Sequence, residues 1–247
     1  MAAQSEPEIV LYDLASTKNT CFSPAVWRIR LMLNYKQIPY RTVFLELHDI
    51  EPALKGLGIA PNPDPAARIK YTVPVIHHLP SNTYLMDSVP ISHFLQSAYP
   101  SPPLTLTSEL GRTIETKGRE TLGVGYQTSL TPREIHIFSP AAQAYFRRSR
   151  EAWLGHPLEH LLSGDKEEQV WKSLEAGPLP EYDELLRTNA ADGPFVLGKT
   201  PSITDFFIVG SLEMARAIDE RVFEKLVAYP GCRAIYDACQ PYMQKRD

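Results

Sequence analysis

The sequence has no long apolar run: stretches such as Phe206 to Val209 are closed after a few residues by glycine or polar side chains. A helix that spans a bilayer needs about 20 apolar residues, so no membrane partner is expected. Cysteine is scarce. Cys21, Cys232 and Cys239 form neither an even disulfide framework nor a metal-ligand spacing, which suits a reducing compartment and predicts no metal site. An excess of charge is missing too: 25 Lys+Arg face 29 Asp+Glu, for a formal charge of −4. Without a basic surplus there is no electrostatic pull toward polyphosphates or anionic lipid, and no nucleic-acid partner is implied. The opening MAAQSEPE lacks both the basic start and the apolar stretch of a secretory leader and is too acidic for an organelle transit peptide. The expected location is the cytosol.

What is present is an ordinary globular composition. Hydrophobic residues make up 43% of 247, aromatic residues 10% and charged residues 22%, which is ample for one large core or two smaller ones and excludes disorder and fibrous folds. Strand and helix signals mix over the first hundred residues. Ile9 to Leu14 is β-branched and aromatic, a polar loop follows, and Ser23-Pro24 opens a helix from Ala25 to Tyr35. Serine before a proline at a helix start is an N-terminal signal, because proline lacks the amide that would go unpaired there and serine can accept one. Tyr40 to Leu47 reads as a second strand parallel to the first. Four prolines between residues 51 and 70 restrict any helix there to a short or irregular one. Tyr71 to His78 is strand-like with Pro74 inside it, Ser81-Asn82 suits a hairpin into Tyr84 to Met86, and Asp87-Ser88 opens a helix to about Ala98.

The predicted order is therefore β-α-β-α-β-β-α over residues 1–99, then a stiff proline-rich linker over 100–106, then an all-helical domain over 107–247. Helices are expected near 107–127, 140–163, 166–189, 202–217, 220–228 and 231–243. Ser202-Ile203-Thr204-Asp205 has the form of a capping box.

This order, with Ser23-Pro24-Ala25-Val26-Trp27-Arg28-Ile29-Arg30-Leu31 at the first helix, Thr72-Val73-Pro74 before the third strand, Asp87-Ser88 after the fourth and the Ser202 to Asp205 box, resembles the cytosolic glutathione transferases along essentially the whole chain. Asn34 to Tyr40 and Tyr145 to Glu151 are similar to fungal etherase-type members, and Trp27 to Arg30 to the zeta, or maleylacetoacetate isomerase, class. The resemblance implies a thioredoxin-like α/β domain followed by an all-α domain, a homodimer, and glutathione as cosubstrate or cofactor beside a small apolar electrophile. It also implies a cis bond at Val73-Pro74, the backbone of Val73 pairing with the cysteinyl part of the tripeptide, and Asp87 and Ser88 at its γ-glutamyl end. Detoxification and secondary metabolism are the settings it suggests.

The physical case for Ser23 stands beside the resemblance. A hydroxyl at the amino end of a helix can donate to a sulfur anion, while free amides and the helix dipole add partial positive charge. Ser23 is thus expected to stabilise a thiolate rather than act as nucleophile; its plain alternative is an N-cap. Cys21, Thr20 and Asn19 are weaker candidates for the same role. His48, Arg68 and Lys70 are candidates for the glycine carboxylate of the tripeptide. His77 and His78 read as strand-end residues, and Arg147, Arg148 and Arg150 as a solvated helix face or a cleft lining. The electrophile pocket is expected between the domains, at Tyr126, Ile137, Phe138 and Tyr145, on the view that Gly123 and Gly125 interrupt a helix end. Conjugation and glutathione-dependent cis/trans isomerisation would use the same groups. A non-catalytic binder on this fold and a Cys21-dependent redox enzyme are the remaining alternatives.

Overall fold

The computed structural model describes residues 6–246; the leader reading of MAAQSEPE and the last position of the 107–247 domain fall partly outside them. The chain begins with β1 (Ile9–Leu14), α1 (Pro24–Tyr35), β2 (Tyr40–Leu45), α2 (Ile50–Gly56), β3 (Val75–His78), β4 (Thr83–Met86) and α3 (Ser88–Ala98). The expected order is the observed one. The sheet runs β2-β1-β3-β4. β1 pairs with β2 in parallel, Ile9 opposite Tyr40, because the crossover between them is long enough to hold α1. β3 and β4 form an antiparallel hairpin with Val75 opposite Met86, and β3 lies antiparallel to β1.

The second strand ends at Leu45 and the third begins only at Val75. Pro74 has no amide for a ladder, so the strand begins only after it and the residues before it form a loop; the bond between Val73 and Pro74 is cis. The linker passes beside α1, where the Lys36 ammonium donates to the carbonyls of Tyr99 and Pro102 at 2.7 Å each.

The rest is helical: α4 (Glu109–Ser129), α5 (Thr131–Glu134), α6 (Pro140–Leu154), α7 (Lys166–Glu175), α8 (Pro178–Leu186), α9 (Ile203–Ile218), α10 (Glu220–Val227) and α11 (Pro230–Cys239), with single 3-10 turns at Ile135–Ile137, Leu158–Leu162 and Gln240–Tyr242. Two expected helices are divided. The span 140–163 breaks at Gly155, whose φ of 73° caps α6 in the left-handed region. The span 166–189 breaks at Gly177-Pro178, since proline can begin a helix but not continue one. Conversely, α4 runs unbroken through Gly123 and Gly125. A Cβ on Gly125 would lie 2.9 Å from the Trp171 ring, so this glycine admits a neighbouring side chain instead of ending the helix. The capping box at Ser202 is present: the Asp205 carboxylate accepts from the Ser202 amide at 2.7 Å and hydroxyl at 2.6 Å, and from the Val196 amide at 2.8 Å.

What positions the start of α1 is its packing along α9. Val26, Trp27, Ile29 and Leu33 are buried, and α9 contributes Phe206, Val209 and Leu212 to the same core. Gly210 lets the two backbones meet, since a Cβ there would stand 2.6 Å from the Pro24 carbonyl oxygen. Beneath α1 lies a buried ion pair, Arg30 to Asp13 at 2.9 Å, with both side chains fully excluded from solvent. Gly210→Ala is expected to force α1 and α9 apart and to destabilise the chain by about 1–3 kcal/mol. A lowered urea midpoint at unchanged slope would register this; an unchanged midpoint would show that the seam tolerates the methyl.

Candidate functional site

A cleft of about 360 Å³ opens where the amino end of α1 faces α5 and α6. From the first domain its wall takes Leu14, Phe22, Ser23, Leu47, Ile50, Tyr71, Thr72 and Val73; from the helical domain it takes Glu134, Tyr145, Ser149, Arg150, Trp153 and Met214.

Ser23 is the residue immediately before α1, with φ −64° and ψ 121°, and its hydroxyl makes no capping bond. The first amides of a helix have no acceptor within it, so a free hydroxyl and the positive end of a helix dipole face the same cavity. Across the cleft floor, the amide and carbonyl of Val73 have no backbone partner among the described residues. The carbonyl of Pro74 accepts from the Asp87 amide at 3.0 Å, which ties the Val73 loop to the start of α3. Asp87 adopts φ 81°, an uncommon region for a residue with a Cβ. Ser88 is 8% exposed, and its hydroxyl makes no hydrogen bond among the described residues. Asp87 and Ser88 lie beyond the cleft wall, joined to it through Pro74.

The other expected residues divide sharply. Tyr145 lines the cleft. Tyr126, Ile137 and Phe138 do not. The Tyr126 hydroxyl donates to the Ser211 carbonyl at 2.8 Å inside the helical domain. Ile137 and Phe138 are buried among Phe22, Ala142 and Phe146, because the 3-10 turn after α5 points them into the core. His48 stands outside the wall: its Nε2 is 3.6 Å from the Asp49 carboxylate, and its Nδ1 is buried without a partner. Cys21 is 1% exposed, and burial, with the Asp13 carboxylate next to it, pushes its thiol well up, so it is no reactive thiolate. Asn19 is exposed, Thr20 is half-buried, and neither borders the cleft. Of the charged candidates, Arg68 and Arg150 reach the cleft, whereas the Lys70 ammonium donates to the Asp64 carbonyl at 2.7 Å and Arg147 pairs with Glu151 and Glu159 at 2.8 Å each. His77 and His78 sit in β3, hydrogen-bonded to Asn82 and Ser81. Among the described residues no group of three potential metal ligands occurs.

Glu134, Trp153 and Met214 went unnoticed in the sequence. Tyr145, Ser149 and Trp153 recur every four residues along α6, a stripe that could have identified the face turned to the cleft. Glu134, the last residue of α5, makes no side-chain hydrogen bond or ion pair among the described residues. Burial pushes its carboxyl up to about 7, opposed only by the Arg150 guanidinium. It can therefore carry a proton at neutral pH.

Comparison with known proteins identifies the two domains. The model of the glutathione S-transferase N-terminal domain matches residues 22–98, and that of the C-terminal domain matches residues 112–227. A glutathione S-transferase-like protein, ustS, of Aspergillus flavus is 29% identical over 245 residues, covering 92% of this chain and 87% of that one. The crystal structure of glutathione transferase GSTFuA2 from Phanerochaete chrysosporium is 28% identical, with a TM-score of 0.82 over 98% of this chain and 100% of that one. That of the glutathione S-transferase CsGST83044 of Ceriporiopsis subvermispora, in complex with glutathione, is 25% identical, with a TM-score of 0.81 over 94% and 96%.

The elevated Glu134 carboxyl has a consequence for stability. Its ordinary value is 4.5. Between there and about 7 the folded chain binds more protons than the unfolded one, so stability falls as pH rises through that window. Glu134→Gln is expected to remove this loss, leaving the variant more stable than the parent at pH 8 by on the order of 2 kcal/mol and equal to it near pH 4. Denaturant titrations at the two pH values measure the difference, and parallel pH profiles would contradict it. With the domain order, the sheet topology and both family matches in agreement, the chain belongs to the glutathione S-transferase family.

Proposed function

We propose that the protein binds glutathione in the first domain, holds its sulfur as a thiolate beside Ser23, and directs it onto an apolar electrophile in the cleft. The observation that carries this reading is the unbonded Ser23 hydroxyl at the amino end of α1, open to the cavity. A thiol of pKa about 8.5 is mostly protonated at neutral pH, and each unit of depression corresponds to about 1.4 kcal/mol of anion stabilisation. The Ser23 hydroxyl donates to the anion, and the helix dipole adds to its effect. The free amide and carbonyl of Val73 suit the cysteinyl backbone of the tripeptide, in the manner of an added strand. The Ser88 hydroxyl at the start of α3 suits a carboxylate at the γ-glutamyl end, with Asp87 available to its ammonium group. The glutathione-bound relative from Ceriporiopsis subvermispora supports the same choice of ligand.

Glu134 favours electrophiles whose reaction ends in a proton transfer. When the thiolate adds to a conjugated alkene, the new S–C bond pushes the π pair onto the adjoining carbonyl. A protonated Glu134 can supply the proton that completes addition and take it back for elimination. Release of the adduct gives conjugation. Bond rotation followed by loss of the thiol gives cis/trans isomerisation. Detoxification and tailoring of secondary metabolites both draw on this chemistry.

Glutathione titrated into the protein is expected to release heat, and the ultraviolet thiolate band of the bound tripeptide to titrate below its free value of about 8.5. In Ser23→Ala, binding persists, the titration returns toward the free value, and kcat/KM with an aryl enone falls roughly 10- to 100-fold. Cys21→Ala keeps its activity. Absence of heat with glutathione, or full activity in Ser23→Ala, would overturn the reading.

A further inference from the structure

We propose that the cosubstrate of this cleft carries a carboxylate, which docks on the guanidiniums of Arg150 and Arg68 while its apolar body lies along Tyr145 and Met214. The proposal rests on the preceding reading only in treating the occupant as a cosubstrate; the anion site is built from other residues.

The Arg150 guanidinium stands 4.5 Å from the centre of the Trp153 ring and 4.9 Å from that of Phe146. Arg68, from the loop between α2 and β3, stands 5.8 Å from the same Trp153 ring. The two cations thus reach one indole from different domains, and both line the cleft. Among the described residues neither guanidinium has a hydrogen bond or a carboxylate within ion-pair distance. One turn back on α6, Arg147 is fully engaged, bonded to both Glu151 and Glu159. Two like charges held against one ring repel each other, and among the described residues no carboxylate stands within ion-pair distance to offset them; the Glu134 carboxyl acts on Arg150 only at longer range.

A guanidinium held near aromatic rings by cation–π attraction and without a hydrogen-bond partner keeps its N–H groups available, the groups that bind a carboxylate in a two-point fork. The acidic residues of the wall do not compete for them. Glu51 is bonded to the Lys55 ammonium at 2.6 Å, and Glu134 is only partly ionised at neutral pH. The balance of free charge in the cleft is therefore positive. Tyr145 and Met214, in the same wall, supply contact for a flat apolar body.

The probe is naphthalene-2-carboxylate, compared with its methyl ester, in binding measured by tryptophan fluorescence and calorimetry without glutathione. Fluorescence reports on this site because Trp153 is 46% exposed while Trp27 and Trp171 are 0% and 4% exposed. The acid is expected to bind roughly tenfold more tightly than the ester at pH 7, and Arg150→Gln to abolish most of that preference. Arg68→Gln, on an exposed loop, provides a second variant should the first fail to fold; it is expected to weaken the preference in the same direction. Equal affinity of acid and ester, or a preference that survives in the folded variants, overturns the proposal. A second arm repeats the titration with saturating S-methylglutathione. Continued binding of the aryl acid supports a cosubstrate site, whereas competitive displacement assigns the guanidiniums to the tripeptide's own carboxylate and overturns the proposal. Failure of the glutathione reading itself would appear only in the separate glutathione titration and would leave the acid preference intact.

Discussion

The cleft depends on the seam between α1 and α9. A serine before a helix ordinarily spends its hydroxyl on the first amides. In this chain the start of α1 is fixed from behind, by the contact of Gly210 with the Pro24 carbonyl and by the buried faces of both helices, so its position does not rely on that cap. The hydroxyl of Ser23 and the helix end it sits on are left facing the cavity. The Arg30–Asp13 pair beneath α1 braces the same helix against the sheet. Breaking one partner of such a buried pair costs far more than the intact pair contributes, which favours a single seating of the helix.

Much of the first domain was legible in the sequence because its signals are short-range. Ser23-Pro24 and Asp87-Ser88 each encode a local backbone event, and the element order around them follows from strand and helix patterns a few residues long; the cis bond at Val73-Pro74 is expected from the family resemblance alone, since trans is the commoner state of an X-Pro bond. The capping box at Ser202 was readable for the same reason. Gly155 and the Gly177-Pro178 pair end helices by equally local chemistry, inside spans expected to be continuous helix.

The acceptor end of the cleft was less legible, and the errors have a common origin. Tyr126, Ile137 and Phe138 are apolar residues near a bend in the chain, and nothing in their spacing distinguishes a side chain that faces the core from one that faces a cavity. That distinction is settled by packing against distant residues, such as Ser211 for Tyr126 and Phe22 for Phe138. Gly125 illustrates the same point in reverse: its role is to admit Trp171, 46 positions later in sequence (171 − 125), and only the folded chain reveals it. Glu134 carries its signal in what surrounds it, since a carboxyl's burial and want of partners leave no trace in composition.

A frame fastened along α1 and α9 divides the molecule into a part that resists change and a part that can absorb it. Apart from Met214 of α9, the wall opposite Ser23 is supplied by the stripe on α6 and by the segment ahead of β3, neither of which belongs to that seam. Substitutions at Tyr145, Ser149 or Trp153 change the shape of that wall without touching the contact that seats the start of α1. The architecture thereby leaves one rim of the cavity open to change in shape and polarity while the helix end opposite keeps its seating.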